Sequence, residues 1–154
     1  MIFRIATVGR PPAGPLREAI AEFETRASRY WPIETTEVRA EPARSRSAAD
    51  VRRLEGERLS RRASGVIVAL DERGRSFTTE RFAAWMTERR DRAEDVAFLI
   101  GGAYGLDDAL RQRASLILSV APWTLPHDLA RLVLAEQLYR AGTISRGEPY
   151  HKGE

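Results

Sequence analysis

Apolar positions along the chain follow two periods, and the change from one to the other predicts the elements. Ile2, Phe3, Ile5 and Val8 predict a strand over residues 1–9, ended by Gly9-Arg10-Pro11-Pro12. Leu16, Ala19, Ile20, Phe23 and Ala27 recur at three- and four-residue spacing, which predicts an amphipathic helix from Pro15 to about Tyr30. Trp31-Pro32 stops it, because the residue before proline is pushed out of the helical region. A strand rich in Thr and Val follows over residues 33–40, then a polar loop and a charged helix over about 48–63. Ser64-Gly65 precedes an apolar strand at 66–70, and Asp71-Glu72-Arg73-Gly74 reads as a turn. Thr78 or Thr79 is placed to cap a helix through Phe82, Trp85 and Met86. Residues 96–100 form another apolar strand, followed by a short helix at about 107–114, a strand at 116–118 and a helix at 128–142. Strands alternating with helices, the inner ones apolar on both faces, predict an α/β fold with a mainly parallel sheet and helices on both faces.

Composition narrows the class. With 154 residues, 43% of them hydrophobic and 31% charged, the chain fits one soluble domain over residues 1–154. Apolar runs such as residues 65–70 are far too short to span a membrane, and Met1 leads straight into a strand rather than a signal-type leader. The absence of cysteine excludes disulfides, a thiolate nucleophile and cysteine metal sites, and favours a cytoplasmic location. The net charge of +3 is uneven: residues 39–62 hold eight arginines against Glu41, Asp50, Glu55 and Glu57. Such a segment either attracts phosphate backbones or forms a solvated helix face of Glu–Arg pairs.

The glycine cluster Gly101-Gly102-Ala103-Tyr104-Gly105 does not make a dinucleotide fingerprint. Ile100 stands where the first glycine belongs, and no acidic residue lies near Ala121 to Trp123 to hold a ribose. There is no phosphate-binding G-x-x-x-x-G-K-[ST] and no G-x-S-x-G elbow. His127 and His151 lack metal-ligand spacing, so no metal is expected. In an open parallel sheet ligands bind at the carboxyl ends of the strands, which here are followed by the loops after Leu70, Ile100 and Ser119.

The last quarter is the most distinctive stretch. Leu129, Leu132 and Val133 cover one arc of the final helix, and Leu134 and Leu138 the opposite one. A helix apolar all round is buried on all sides, which at a chain's end suggests a two-fold dimer. Glu136 and Arg140 form an i, i+4 pair that reads either as a satisfied ion pair or as part of a site. The tail Pro149-Tyr150-His151-Lys152 is either loose or functional.

Several motifs together resemble the RlmH family, the ribosomal RNA large subunit methyltransferases H of the SPOUT class. They are Leu70-Asp71, Ile100-Gly101-Gly102-x-x-Gly105-Leu106, Leu118-Ser119, Thr124-Leu125-Pro126-His127, Arg131, Leu134-x-Glu136-Gln137-x-Tyr139-Arg140-Ala141 and Pro149-Tyr150-His151-Lys152. The resemblance implies a SPOUT-type fold with a C-terminal trefoil knot, a homodimer, and S-adenosylmethionine as methyl donor. It further implies transfer of a methyl group to N3 of a pseudouridine in 23S rRNA on the assembled ribosome. Carried over by position, the cofactor would touch Leu70, Gly101, Gly102, Val120, Ala121, Pro122, Trp123, Thr124 and Leu125. Ala121 stands where the family commonly has a serine, and Pro122 and Trp123 follow it.

The expected roles follow from chemistry at those positions. His151 is the first candidate for a general base. Tyr150 would stack on or orient the pseudouridine, and Arg140, held by Glu136, would neutralise the developing anion. Arg44, Arg46 and Lys152 are candidates for phosphate contact, and His127 either caps its helix or meets substrate. Two other readings fit the residues: a non-enzymatic RNA- or ribosome-binding module, and a SPOUT methyltransferase acting on tRNA.

Overall fold

The computed structural model describes residues 1–152. Chain order is β1 (Phe3–Val8), α1 (Pro15–Ala27), β2 (Ile33–Val38), α2 (Ala48–Ser60), β3 (Val66–Ser76), α3 (Thr79–Asp91), β4 (Val96–Ile100), α4 (Asp108–Arg113), β5 (Leu116–Ser119) and α5 (His127–Ser145). A short 3-10 turn, Pro149–Lys152, follows. The strands form one sheet in the order β2-β1-β4-β3-β5, and every pairing is parallel.

Alternation along each strand builds two cores. Phe3, Ile5, Val68, Val96 and Phe98 face α1, α3 and α5, where they meet Ala27, Phe82, Met86, Leu134 and Leu138. Ala6, Val8, Ala69, Ala97 and Leu99 face the other way, against Leu59 of α2 and Leu110 of α4. β4 is buried along its whole length, which is why it reads as a continuous apolar run. The Trp31 indole is buried at the end of α1; it packs edge-on to Phe3 at 5.5 Å and donates from Nε1 to the Leu138 carbonyl at 2.8 Å. That contact locks α5 over the sheet.

The expected turn at residues 71–74 is instead an excursion within β3. Leu118 of β5 pairs first with Leu70 and then with Arg75, so the four residues between them bulge from the ladder. The bulge is held by Asp71, which accepts from the Arg73 backbone at 2.9 Å and from Arg111 Nη1 at 2.7 Å. Gly74 allows the strand to resume, since a Cβ there would lie 2.6 Å from the Ile117 carbonyl oxygen.

Helix ends differ in small ways that have local causes. α1 closes at Ala27, and tightened turns carry the chain to Trp31. Thr78, rather than Thr79, caps α3 by accepting from the Arg81 N–H. α5 runs past Gly142 to Ser145 and stops at Gly147, whose φ of 70° lets Glu148 N–H return to the Thr143 carbonyl at 2.9 Å. Among the described residues no helix is long and apolar enough to cross a membrane.

Candidate functional site

The loops after β3, β4 and β5 enclose a cleft of about 860 Å³ at the carboxyl ends of the strands. Of the positions expected to touch a cofactor, Leu70, Gly101, Gly102, Val120, Ala121, Trp123, Thr124 and Leu125 line it; Pro122 does not. Asp71, Glu72 and Arg73 of the β3 bulge form another part of the wall. The sequence marks them as a turn in the loop after Leu70, with Asp71 also part of a family motif, but not as cofactor-contacting residues.

The glycine loop folds back on itself. Gly102 bridges to Gly105, whose N–H reaches the Gly102 carbonyl at 3.0 Å and whose φ is 83°. A Cβ on Gly101 would sit 2.4 Å from the Gly105 carbonyl carbon, so only glycine permits this closure. Behind Gly102 stands Glu55 of α2, buried and invisible to a local reading that places it on a solvated helix face. Neighbouring Gly56 is the one hint of close packing, because a Cβ there would meet the Asp107 side chain at 2.9 Å.

The β5–α5 loop is shaped by Ser119, which donates its hydroxyl to the Ala121 carbonyl at 2.6 Å. Trp123 projects from this loop and is 78% exposed. His127 opens α5 and lines the cleft; its Nε2 is 3.4 Å from Asp128, and the cap position belongs to Pro126. Of the two roles expected for His127, the capping position is held by Pro126 instead.

Farther along α5, Glu136 gathers a second group. Its Oε1 accepts from Arg140 Nε at 2.8 Å, Arg140 Nη2 at 2.6 Å and the Tyr150 hydroxyl at 3.2 Å. Gln137 donates to its Oε2 at 2.8 Å. The Arg140 guanidinium lies 4.9 Å from the Tyr150 ring centroid, and the Tyr139 ring packs at 4.6 Å from the same ring. Burial, with the charge of Glu136, pushes the Tyr150 phenol up, and the bond to Glu136 raises Arg140 further above its ordinary value. His151 Nδ1 lies 2.9 Å from the Glu148 carbonyl oxygen. A carbonyl only accepts, so Nδ1 carries the hydrogen and Nε2 keeps a free lone pair in the neutral ring.

Glu136, Arg140 and Tyr150 thus meet along the second half of α5, with His151 next to Tyr150 in the chain, but none of the four borders the cleft. The cleft lining ends at Ala130, and α5 rises 1.5 Å per residue, so Glu136 lies about 9 Å and Arg140 about 15 Å farther along. Arg131 is occupied within the chain, bound to Glu24 at 2.7 Å and Glu37 at 2.9 Å.

The basic segment is partly self-neutralised. Arg46 pairs with Glu41 at 3.1 Å, Arg58 bonds the same carboxylate, and Arg53 pairs with Glu57 at 3.0 Å. Arg58 holds the Glu41 carboxyl below the usual range. Arg44 and Lys152 are exposed.

Comparison with known proteins agrees with this architecture. The family model described as predicted SPOUT methyltransferase matches residues 1–151. A ribosomal RNA large subunit methyltransferase H from Gemmatimonas aurantiaca is 53% identical over 150 residues, covering 96% of this chain and 97% of that one. Its namesake from Syntrophotalea carbinolica is 45% identical, with 94% of each chain covered. Among solved structures, a methylase family protein from Haemophilus influenzae superposes with a TM-score of 0.56 at 11% identity, covering 96% of this chain and 69% of that one. A methyltransferase from Legionella pneumophila, solved with bound SAM, has a TM-score of 0.50 at 16% identity, over 91% and 67% of the two chains. At such identity these two show the shared fold alone. The motifs, the near full-length identity and the parallel sheet with its cleft at the strand ends agree: the chain belongs to the ribosomal RNA large subunit methyltransferase H family of SPOUT methyltransferases.

Proposed function

We propose that the protein is a cytoplasmic, S-adenosylmethionine-dependent methyltransferase that modifies N3 of a pseudouridine in 23S rRNA on the assembled ribosome. The observation that carries the reading is the cleft itself, walled by the glycine loop and the Val120–Leu125 loop in a chain 53% identical to a ribosomal RNA large subunit methyltransferase H. Its volume of about 860 Å³ suits a cofactor of this size, and the glycine backbone leaves room for close approach. S-adenosylmethionine supplies an electrophilic methyl group, and the residues around it have to bind, orient and deprotonate the acceptor.

In this reading His151 takes the N3 proton on its free Nε2, Arg140 steadies the resulting anion, and Tyr150 orients the base. Glu136 holds Arg140 and Tyr150 in place. Arg44, Arg46 and Lys152 contact rRNA phosphates, and His127 meets substrate at the cleft.

The separation of Tyr150 and His151 from the cleft supports a homodimer in which the tail of one protomer serves the cleft of its partner. Leu129, 39% exposed, and the half-buried Leu132 and Val133 offer an apolar face for that contact. The reading also carries the trefoil knot, with residues after β5 threading back through the chain. The return of α5 from the β5 edge to pack on α1 supports this path.

The test is incubation with labelled S-adenosylmethionine and intact ribosomes, free large subunits or bulk tRNA. Label in the 23S rRNA of intact ribosomes, lost when the last six residues are deleted from an otherwise dimeric protein, is the expected result. Label in tRNA alone, or salt-sensitive RNA binding without affinity for the donor, would overturn the assignment.

A further inference from the structure

Glu55 is 4% exposed and takes no part in the chemistry above. Its Oε1 accepts from the backbone N–H of Glu41 at 3.0 Å, while its Oε2 is buried with no hydrogen-bond partner among the described residues. A carboxyl in that state is costly to keep unless its place is useful. Oε2 is directed at the donor loop: a Cβ on Gly102 would lie 2.8 Å from it and 3.0 Å from Val8 Cγ1. Gly102 in turn lines the cleft. The titratable groups around Glu55 are Glu41, Arg58 and His127.

We propose that Glu55 is a positioning residue for the methyl-donor loop, backing Gly102 with one oxygen while its other oxygen ties the loop's support to the chain at Glu41. The inference rests on the reading of the cleft as the donor site. Without the side chain, the Gly101–Gly105 loop faces a void, and the Glu41 N–H loses its partner. The loop then has to be ordered when the donor binds, and that cost falls on affinity. Gly102 must lack a side chain for the same reason, since the carboxyl already fills the space.

The experiment measures S-adenosylmethionine binding to the full-length protein by calorimetry, together with steady-state methylation of ribosomes and thermal unfolding. Glu55→Ala weakens donor binding about tenfold and raises the KM for the donor equally, with kcat at saturating donor little changed. Glu55→Gln keeps the shape and an acceptor for Glu41, and restores affinity to within about twofold of wild type. Gly102→Ala weakens binding, and adding Glu55→Ala recovers part of that loss, because truncation makes room for the new methyl group.

Should Glu55→Ala fail to fold, Glu55→Asp carries the test: it withdraws the carboxyl by one methylene and weakens binding about threefold. Wild-type affinity in the Ala or Asp variant would overturn the proposal. So would equal weakening by Gln and Ala in step with lost thermal stability. Absence of donor binding by the wild-type protein would instead overturn the reading of the cleft, and this inference with it.

Discussion

The Tyr30 hydroxyl donates to Glu148 Oε2 at 2.5 Å, joining the end of α1 to the start of the C-terminal turn across 118 positions of sequence. The bond to Glu148, helped by burial, pushes the Tyr30 phenol up to about 12. Glu148 is also the residue whose carbonyl holds His151, so the anchor sits one step from the proposed base. Tyr30→Phe is expected to cost about 1–2 kcal/mol of stability. It also lowers methylation more than that stability loss explains, because the tail is no longer held in place. Steady-state rates on ribosomes beside a denaturation curve check this. The folded-state value is raised, so the stabilisation is complete below the ordinary tyrosine value near ~10 and is lost as pH rises through 12.

Arg140 and Glu136 form a bonded pair away from the cleft. Arg140→Ala is therefore expected to leave S-adenosylmethionine affinity unchanged while lowering kcat about 100-fold, the usual effect of losing a charge-stabilising donor. Calorimetry and single-turnover methylation separate the two effects. A matching loss of donor affinity would place Arg140 in the wrong role.

Gly142 lies inside α5, where alanine would ordinarily be about 1 kcal/mol better. Here a Cβ would meet Tyr30 Cγ at 2.4 Å and Tyr30 Cβ at 2.5 Å, and the Tyr30 Cβ moves only with its backbone, just beyond α1. Overpacking of this kind costs about 1–3 kcal/mol, and the closeness of the clash puts it at the upper end. Gly142→Ala should thus destabilise the protein by about 1–2 kcal/mol net in urea denaturation. A stabilised variant would mean that α1 and α5 separate more easily than their packing implies.

Burial raises the Glu55 carboxyl above its ordinary value, against the opposing backbone bond from Glu41. The folded protein then holds this proton more tightly than the unfolded chain does. The associated stabilisation is complete below the ordinary glutamate value, about 4.3, and is lost as pH rises through the raised value. Relative to Glu55→Gln, the wild type should lose stability as pH rises across that window. A pH dependence of stability identical in the two proteins would show that folding does not raise the Glu55 carboxyl.

Much of the architecture was legible before any coordinates. The ten helices and strands follow from periodicity, and the both-faces-apolar runs at residues 66–70 and 96–100 mark the middle of a parallel sheet. The cleft residues from Val120 to Leu125 were legible through their motif rather than through spacing. Pro122 is the exception: it is exposed and does not line the cleft. The β3 bulge was misread as a turn: Asp71, Glu72, Arg73 and Gly74 have turn composition. What makes them an excursion within a strand is the pairing of Leu70 and Arg75 on either side with β5, and Arg111, 40 positions away from Asp71.

Local burial has a period, so the sequence by itself determined the order and type of the elements and the apolar face of each. It also carried the motifs by which the family is recognised. Only the tertiary structure decided that Glu55 stands behind Gly102, that Tyr30 holds Glu148, and that Glu136, Arg140 and Tyr150 meet away from the cleft. Each of those facts joins residues from different elements. No pattern within one element records which distant side chain will fill the space beside it.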